Sequence, residues 1–248
     1  MLTTVEEVDT SMVTLKRVTS ETSDTYDKFL TTATSSAKEL ASTVTDVIDA
    51  VSSFSRLGYT LDEATTLGNI ATMYSNVGFI DIDTATSDLV TAMKAFNVEA
   101  EDSISIVDAF NDVGNKFALS SSDIGEGLTQ SASALAVAGN SLNESIAMIT
   151  GGTEITQDAN SMGNALKTLS MRLRSSKVEV EEMGEDTEGM AETTSKMRED
   201  IKALSGIDIM KDSNTYKSTY EIMREIANVW DDLSDINQAG LLEKIAGK

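Results

Sequence analysis

The chain has no cysteine, no histidine and no proline in 248 residues, and only one tryptophan, five tyrosines and six phenylalanines. Each absence removes chemistry or architecture. Without thiol or imidazole there is no cysteine nucleophile, no histidine general base, no disulfide and no ordinary zinc or copper site. Catalysis would have to rest on carboxylates, lysine or a bare hydroxyl, and a chain without thiols is indifferent to the redox state of its compartment. Average proline usage of about 5% would place roughly twelve in this length. Their absence, with abundant Ala, Ser, Thr, Met and Leu, suits helices; a sandwich or barrel would show aromatic and β-branched alternation between turn dipeptides.

Positive charge is scarce as well. The chain carries 19 Lys and Arg against 41 Asp and Glu, a formal charge of −22. The excess runs throughout: 5 basic against 9 acidic residues over 1–56, 4 against 15 over 57–173, and 10 against 17 over 174–248. Such a surface repels nucleic-acid phosphates and anionic lipid heads and favours solubility, so no nucleic-acid binding is expected of this segment. No apolar run approaches the roughly 20 residues needed to span a bilayer, and no basic-then-apolar signal peptide opens the chain. Met1 leads at once into an amphipathic pattern, and Gly247-Lys248 follow directly on an apolar helix, so both ends read as cut from something longer.

What is present is helical periodicity. Val5, Val8, Met12 and Leu15 step as an apolar seam, a Ser/Thr patch interrupts at 19–25, and the seam resumes from Tyr26 through Leu30, Ala33 and Ala37. It continues through Leu40, Val44, Val47, Val51 and Phe54, alternating 4 and 3 without a break, which predicts one long helix with a run of about 42 Å. Two readings stay open: a coiled coil joining subunits, or a helix folded back on its own domain.

Organisation changes at Gly58, placed to end a helix. From 57 to 173 a unit of about 40 residues reads as written three times. Copies open at Leu61, Ala100 and Leu142 and realign at Leu89, Leu128 and Leu166. Thr60 with Glu63 fits a capping box, Asp83 marks a second helix start, Ser122 or Asp123 a later one, Gly139-Asn140 a break, and Gly151-Gly152 a flexible pivot. From Ser175 the carboxylates Glu179, Glu181, Glu182, Glu185, Asp186, Glu188 and Glu192, with Gly184 and Gly189, read as a solvated linker. Helical order returns at Met197, Ile207-Asp208-Ile209 reads as a short extended piece, and Tyr216 to Trp230 and a helix capped by Asp235 close the chain. The expectation is an all-α protein: a long N-terminal amphipathic helix at 1–56, a bundle of short paired helices in three approximate repeats at 57–175, an acidic linker with a short helix at 176–212, and the start of a further helical segment at 213–248.

Candidate sites are few. Lys167, Met171 and Arg174 share a helical face with Arg172 beside them, a basic concentration in an acidic region; these residues either dock an acidic partner or simply favour a helix C-terminus. Asp81-Ile82-Asp83 begins like a calcium loop, but Ala85 replaces the third oxygen ligand, and Asp231, Asp232 and Asp235 read better as helix ends than as ligands. Carboxylate-only glycoside hydrolysis is the enzyme class the composition permits, with Glu63, Glu144 or Glu225 as acid, yet no aromatic sugar-binding surround accompanies them. Neither enzyme activity nor a cofactor or metal is expected.

The order of these segments resembles the amino-terminal part of phage tail tape-measure proteins, the minor tail proteins of long-tailed phages and prophages of Gram-positive type. The residues that carry the resemblance run Arg56-Leu-Gly-Tyr-Thr-Leu-Asp-Glu-Ala64, Asp83-Thr-Ala-Thr86 to Met93-Lys-Ala-Phe96, and Ile106-Val-Asp108 to Asn111-Asp-Val-Gly-Asn115. They continue through Gly139-Asn-Ser-Leu-Asn-Glu-Ser145, Gly163 to Arg174, and Trp230 to Lys248. The resemblance implies a structural role: occupying the tail tube, setting tail length, leaving before genome ejection, and associating with other copies, the tube and tail assembly chaperones. It implies a place in the virion tail, and in the host cytoplasm during assembly. The chain's acidity and its lack of the family's downstream apolar segments depart from that pattern. The Ser/Thr/Ala-rich helix at 1–56 leaves a bacterial signalling rod of chemoreceptor type as an alternative.

Overall fold

A computed structural model describes residues 2–174, 177–182, 184, 187–188 and 193–246. Among these the protein is all-α, with helices α1 (Leu2–Val18), α2 (Ser23–Glu39), α3 (Val44–Arg56), α4 (Leu61–Gly78), α5 (Ile82–Phe96), α6 (Ile104–Lys116) and α7 (Ser121–Val137). There follow α8 (Leu142–Thr156), α9 (Ala159–Arg174), α10 (Lys177–Glu182), α11 (Thr194–Ser205), α12 (Thr219–Val229) and α13 (Asp235–Ala246). Single 3-10 turns lie at Ala100–Asp102 and Trp230–Asp232. The chain divides into two compact units, Met1–Gly125 and Glu126–Lys248, with the division inside α7. Glu185, Asp186, Gly189, Glu192, Gly247 and Lys248 lie outside the described residues, as does the side chain of Glu179.

In the first unit the expected long helix is three helices. Its periodicity crosses two turns because both flanking helices face the same core. Thr22 caps α2, and the Tyr26 hydroxyl fastens the preceding turn, 2.7 Å from Thr19 Oγ1 and accepting from the Glu21 amide at 3.1 Å. The second break falls in the middle of the seam. Ala41 turns left-handed with φ 52, the Ser42 amide donates back to the Ala37 carbonyl at 2.9 Å, and Thr43 with Asp46 forms a capping box that restarts the chain as α3. Leu40 and Val44 flank this turn and are half-buried, whereas Val47, Val51 and Phe54 are fully buried. α3 packs against α1, α2, α4 and α5. Val47, Val51 and Phe54 therefore belong to the core of their own unit, and residues 2–56 form three helices in place of the uninterrupted one a signalling rod needs.

The caps of the next helices show which polar residues start them. Thr60 and Glu63 form the expected box, and Gly58 takes the left-handed turn before it with φ 94. Asp81, two residues before the expected Asp83, caps α5 by accepting from the Thr84 amide at 2.9 Å. Ser120 caps α7 instead of Ser122 or Asp123: its hydroxyl accepts from the Asp123 amide at 3.2 Å while the Asp123 carboxylate accepts from the Ser120 amide at 2.6 Å. Ser234, not Asp235, caps α13 through the Asn237 amide. Leu89, Leu128 and Leu166 are all buried, on α5, α7 and α9.

In the second unit Gly139 ends α7 with φ 75, as expected, but Gly151-Gly152 is no pivot. Both glycines lie inside α8, and a Cβ at Gly152 would collide with the Met162 side chain, so this glycine serves close packing of α8 on α9. The acidic stretch is also anchored in part: Val180 is fully buried with Leu173, Met197, Ile201, Ile222 and Leu241. Between α11 and α12 the chain turns through a single antiparallel bridge, Met210 with Tyr216.

Asp208 ties this turn to α11. Its carboxylate receives a fork from Arg198, Nε at 2.7 Å and Nη2 at 2.6 Å, and the Met210 amide at 3.0 Å. The Arg198 bonds hold the Asp208 carboxyl well below the usual carboxylate range. A depressed folded value means stability fully present above the unfolded carboxyl value near ~4 and lost as pH falls through the folded one. Asp208→Asn is expected to lower the melting temperature by a few degrees at pH 7 and to flatten its fall between about pH 4 and pH 2, read by circular dichroism.

Candidate functional site

Gly163 lets α7 and α9 touch. A Cβ on Gly163 would strike the Gly127 carbonyl and come within 2.9 Å of Gln130 Cβ, so the backbones meet at a distance only glycine permits. Beyond that contact a groove of about 410 Å³ opens between the helices. Its floor is apolar and small-residue, with Ala134, Val137, Ala138 and Met171, and Lys167 and Arg174 line it from α9. Val137 is 79% exposed, so apolar surface is open to solvent here.

The three basic residues singled out in the sequence do not act together. Lys167 and Arg174, seven residues apart on one face, share the groove. Arg172 points the other way and is 1% exposed, donating to the carbonyls of Glu188 at 2.9 Å and Glu243 at 3.5 Å. It is a core strut, and its burial withdraws it from any external contact. Arg174 does both jobs. Its Nη2 donates to the carbonyls of Ala138 and Lys217, and its guanidinium lies 5.1 Å from the Tyr216 ring centroid. Burial draws its pKa below the ordinary arginine value. Alongside it, Asn140 Oδ1 accepts from the Tyr220 amide at 2.8 Å, and Thr219 Oγ1 donates to Ser170 Oγ at 3.0 Å, fixing the start of α12 beside the groove.

The carboxylates considered for catalysis have other partners. Glu63 and Glu144 accept from the backbone amides of Thr60 and Ser141, each at 2.8 Å, in capping boxes. The Thr60 hydrogen bonds lower the Glu63 pKa, the direction opposite to that needed by a general acid. Glu225 pairs with Lys217 at 2.6 Å. Asp81 is a helix cap, and among the described residues no group of three or more His, Cys, Asp or Glu is arranged to hold a metal ion. Among them too, no helix is long and apolar enough to cross a membrane.

Sequence periodicity missed a buried polar node in the first unit. Tyr74 Oη lies 3.1 Å from Asp88 Oδ2 and 3.2 Å from the Ser121 carbonyl, with the ring set edge-on to Phe110 at 5.4 Å. Burial, then the Asp88 charge, pushes the Tyr74 pKa far above that of a free phenol. Gly125 stands against this pair, where a Cβ would collide with both side chains. The node joins α4, α5 and α7 and is buried: Tyr74 is fully enclosed and Asp88 is 5% exposed.

Exposed apolar residues lie at the ends of α4, α6 and α8. Phe79 follows α4, Phe117 follows α6 and Ile155 sits in the last turn of α8, with exposures of 95%, 45% and 86%. Their positions are equal steps apart along the chain. Phe79 is also left-handed, with φ 53.

A family model described as phage-related minor tail protein matches residues 31–247. No solved structure matches the chain.

Proposed function

Since the chain belongs to the phage-related minor tail protein family, we propose that it is part of a tape measure, the component whose length sets that of the tail. The family supports a structural role in the virion tail. The observation that carries the finer reading is the way carboxylates are used. Glu63, Asp81, Glu144 and Asp208 serve as helix caps and ion-pair partners, while the open apolar surface lies in a helix–helix groove suited to packing. In this reading the chain occupies the tail tube before genome ejection, contacts the tube and other copies, and is held by assembly chaperones in the host cytoplasm beforehand. Lys167 and Arg174 mark the surface for an acidic partner. The four-part organisation of the sequence, with boundaries after 56, 175 and 212, belongs to the same proposal.

Editing the parent gene tests it. Deleting residues 100–141 in frame is expected to shorten tails by about 60 Å if the segment lies in the tube as helix at ~1.5 Å per residue, and duplicating them to lengthen tails equally. Electron microscopy measures both. Tails of unchanged length in both strains would refute the ruler and leave a structural tail role of another kind.

A further inference from the structure

The exposed Phe79 has a conformation that evolution could have had more cheaply. It is 95% exposed, and its left-handed backbone, φ 53 and ψ 40, is one that glycine or asparagine adopts with far less strain than an aromatic residue. A scattered apolar residue on a surface needs no explanation; a solvent-facing ring held in a strained backbone points to use elsewhere. The turn that presents it is firm. The Ile80 amide donates to the Ser75 carbonyl at 3.1 Å, and Ser75 Oγ donates to the Ile80 carbonyl at 2.6 Å. Asp81 and Asp83 follow within four residues, both exposed, so the projecting ring is bordered by carboxylates.

The α7–α9 groove has the opposite character. Its floor of Ala134, Val137 and Met171 can receive an aromatic ring, with the Met171 sulfur available for an S–aromatic contact. Lys167 and Arg174, two helical turns apart, bring positive potential to its sides in a chain of formal charge −22. A volume of about 410 Å³ exceeds that of one phenyl side chain.

We propose that Phe79 of one copy docks into the α7–α9 groove of a second copy, with Asp81 and Asp83 facing Lys167 and Arg174. Tip and groove are different surfaces, so the contact is head-to-tail, and repetition builds an open chain of copies or a ring. One ring in one groove buries little area, so the contact is weak between free chains and strengthens where copies are already held side by side. The inference concerns self-association and stands whether or not the protein sets tail length.

Sedimentation velocity on the full chain, from about 10 μM to 1 mM at low salt, tests it. The wild type is expected to associate with concentration, and Phe79→Gly to weaken association at least tenfold while raising the melting temperature, because glycine relieves the left-handed turn. A merely structural ring would not separate those two readouts. Asp83→Lys and Lys167→Asp are each expected to weaken association, and mixing the two variants to restore heterotypic pairs, since one then offers a basic tip and the other an acidic groove. Absence of wild-type association at the highest concentration overturns the proposal. So does association that survives both Phe79→Gly and Lys167→Asp, or a mixture no better than its components, which would assign the groove to another partner.

Discussion

Gly163→Ala is expected to destabilise the second unit by about 2 kcal/mol and lower its melting temperature by roughly 5–10 °C, although alanine is the better helix former by ~1 kcal/mol. The new methyl meets the Gly127 carbonyl and Gln130 Cβ, the first of which is backbone and cannot step aside by changing rotamer. Relief requires α7 and α9 to separate. Separation would widen the groove beside them and loosen the Ser170 and Arg174 bonds that hold the start of α12. Hydrogen exchange is therefore expected to rise in α7, α9 and the first turn of α12 together. Gly151→Ala is the control: its Cβ would meet nothing within 4 Å, so the same substitution on α8 is expected to stabilise by up to ~1 kcal/mol. Equal effects at 151 and 163 would show that helix propensity, not helix approach, governs both sites.

Those two glycines also mark where the sequence was legible and where it was not. Local signals were readable. Gly58 and Gly139 end helices as placed, and the Thr60–Glu63 box forms, because a cap is decided by residues three apart. The Gly151-Gly152 pair misleads because Gly152, which sits where another helix approaches, looks in sequence like a glycine chosen for freedom. The partner that distinguishes them, Met162, lies on the next helix. The break at Ala41 had a readable signal in Thr43 and Asp46, which form a capping box, but an apolar period running unbroken across it argued for continuity. Periodicity reports which residues face a core and is silent on whether one helix or two carry them.

The candidate site divides in the same way. Spacing alone put Lys167, Met171 and Arg174 on one helical face, and the structure gives them one groove. That α7 supplies the opposite wall depends on a long-range pairing that no local pattern encodes. Arg172 sits on another face, where its guanidinium meets carbonyls of Glu188 and Glu243, distant in sequence. Asp88 carries no local signal of its role: its partner Tyr74 lies 14 residues away on another helix, and only the folded chain brings them together.

Val47→Asp is expected to unfold most of the first unit, with a cost of several kcal/mol, whereas Val44→Asp should cost under about 1 kcal/mol. Val47 is 0% exposed on α3, the helix against which α1, α2, α4 and α5 pack, so a new carboxylate there is taken out of water. Val44 lies in the first turn of α3, half-buried, where an aspartate can reach water and lies near the favourable end of the helix dipole. An intermolecular seam predicts otherwise: both substitutions would abolish association and leave each chain's helix content similar. Circular dichroism and sedimentation of the two variants separate the cases. Loss of helix in Val47→Asp with near-native Val44→Asp supports an intramolecular core, while two folded variants that differ from wild type only in association would return the seam to the surface.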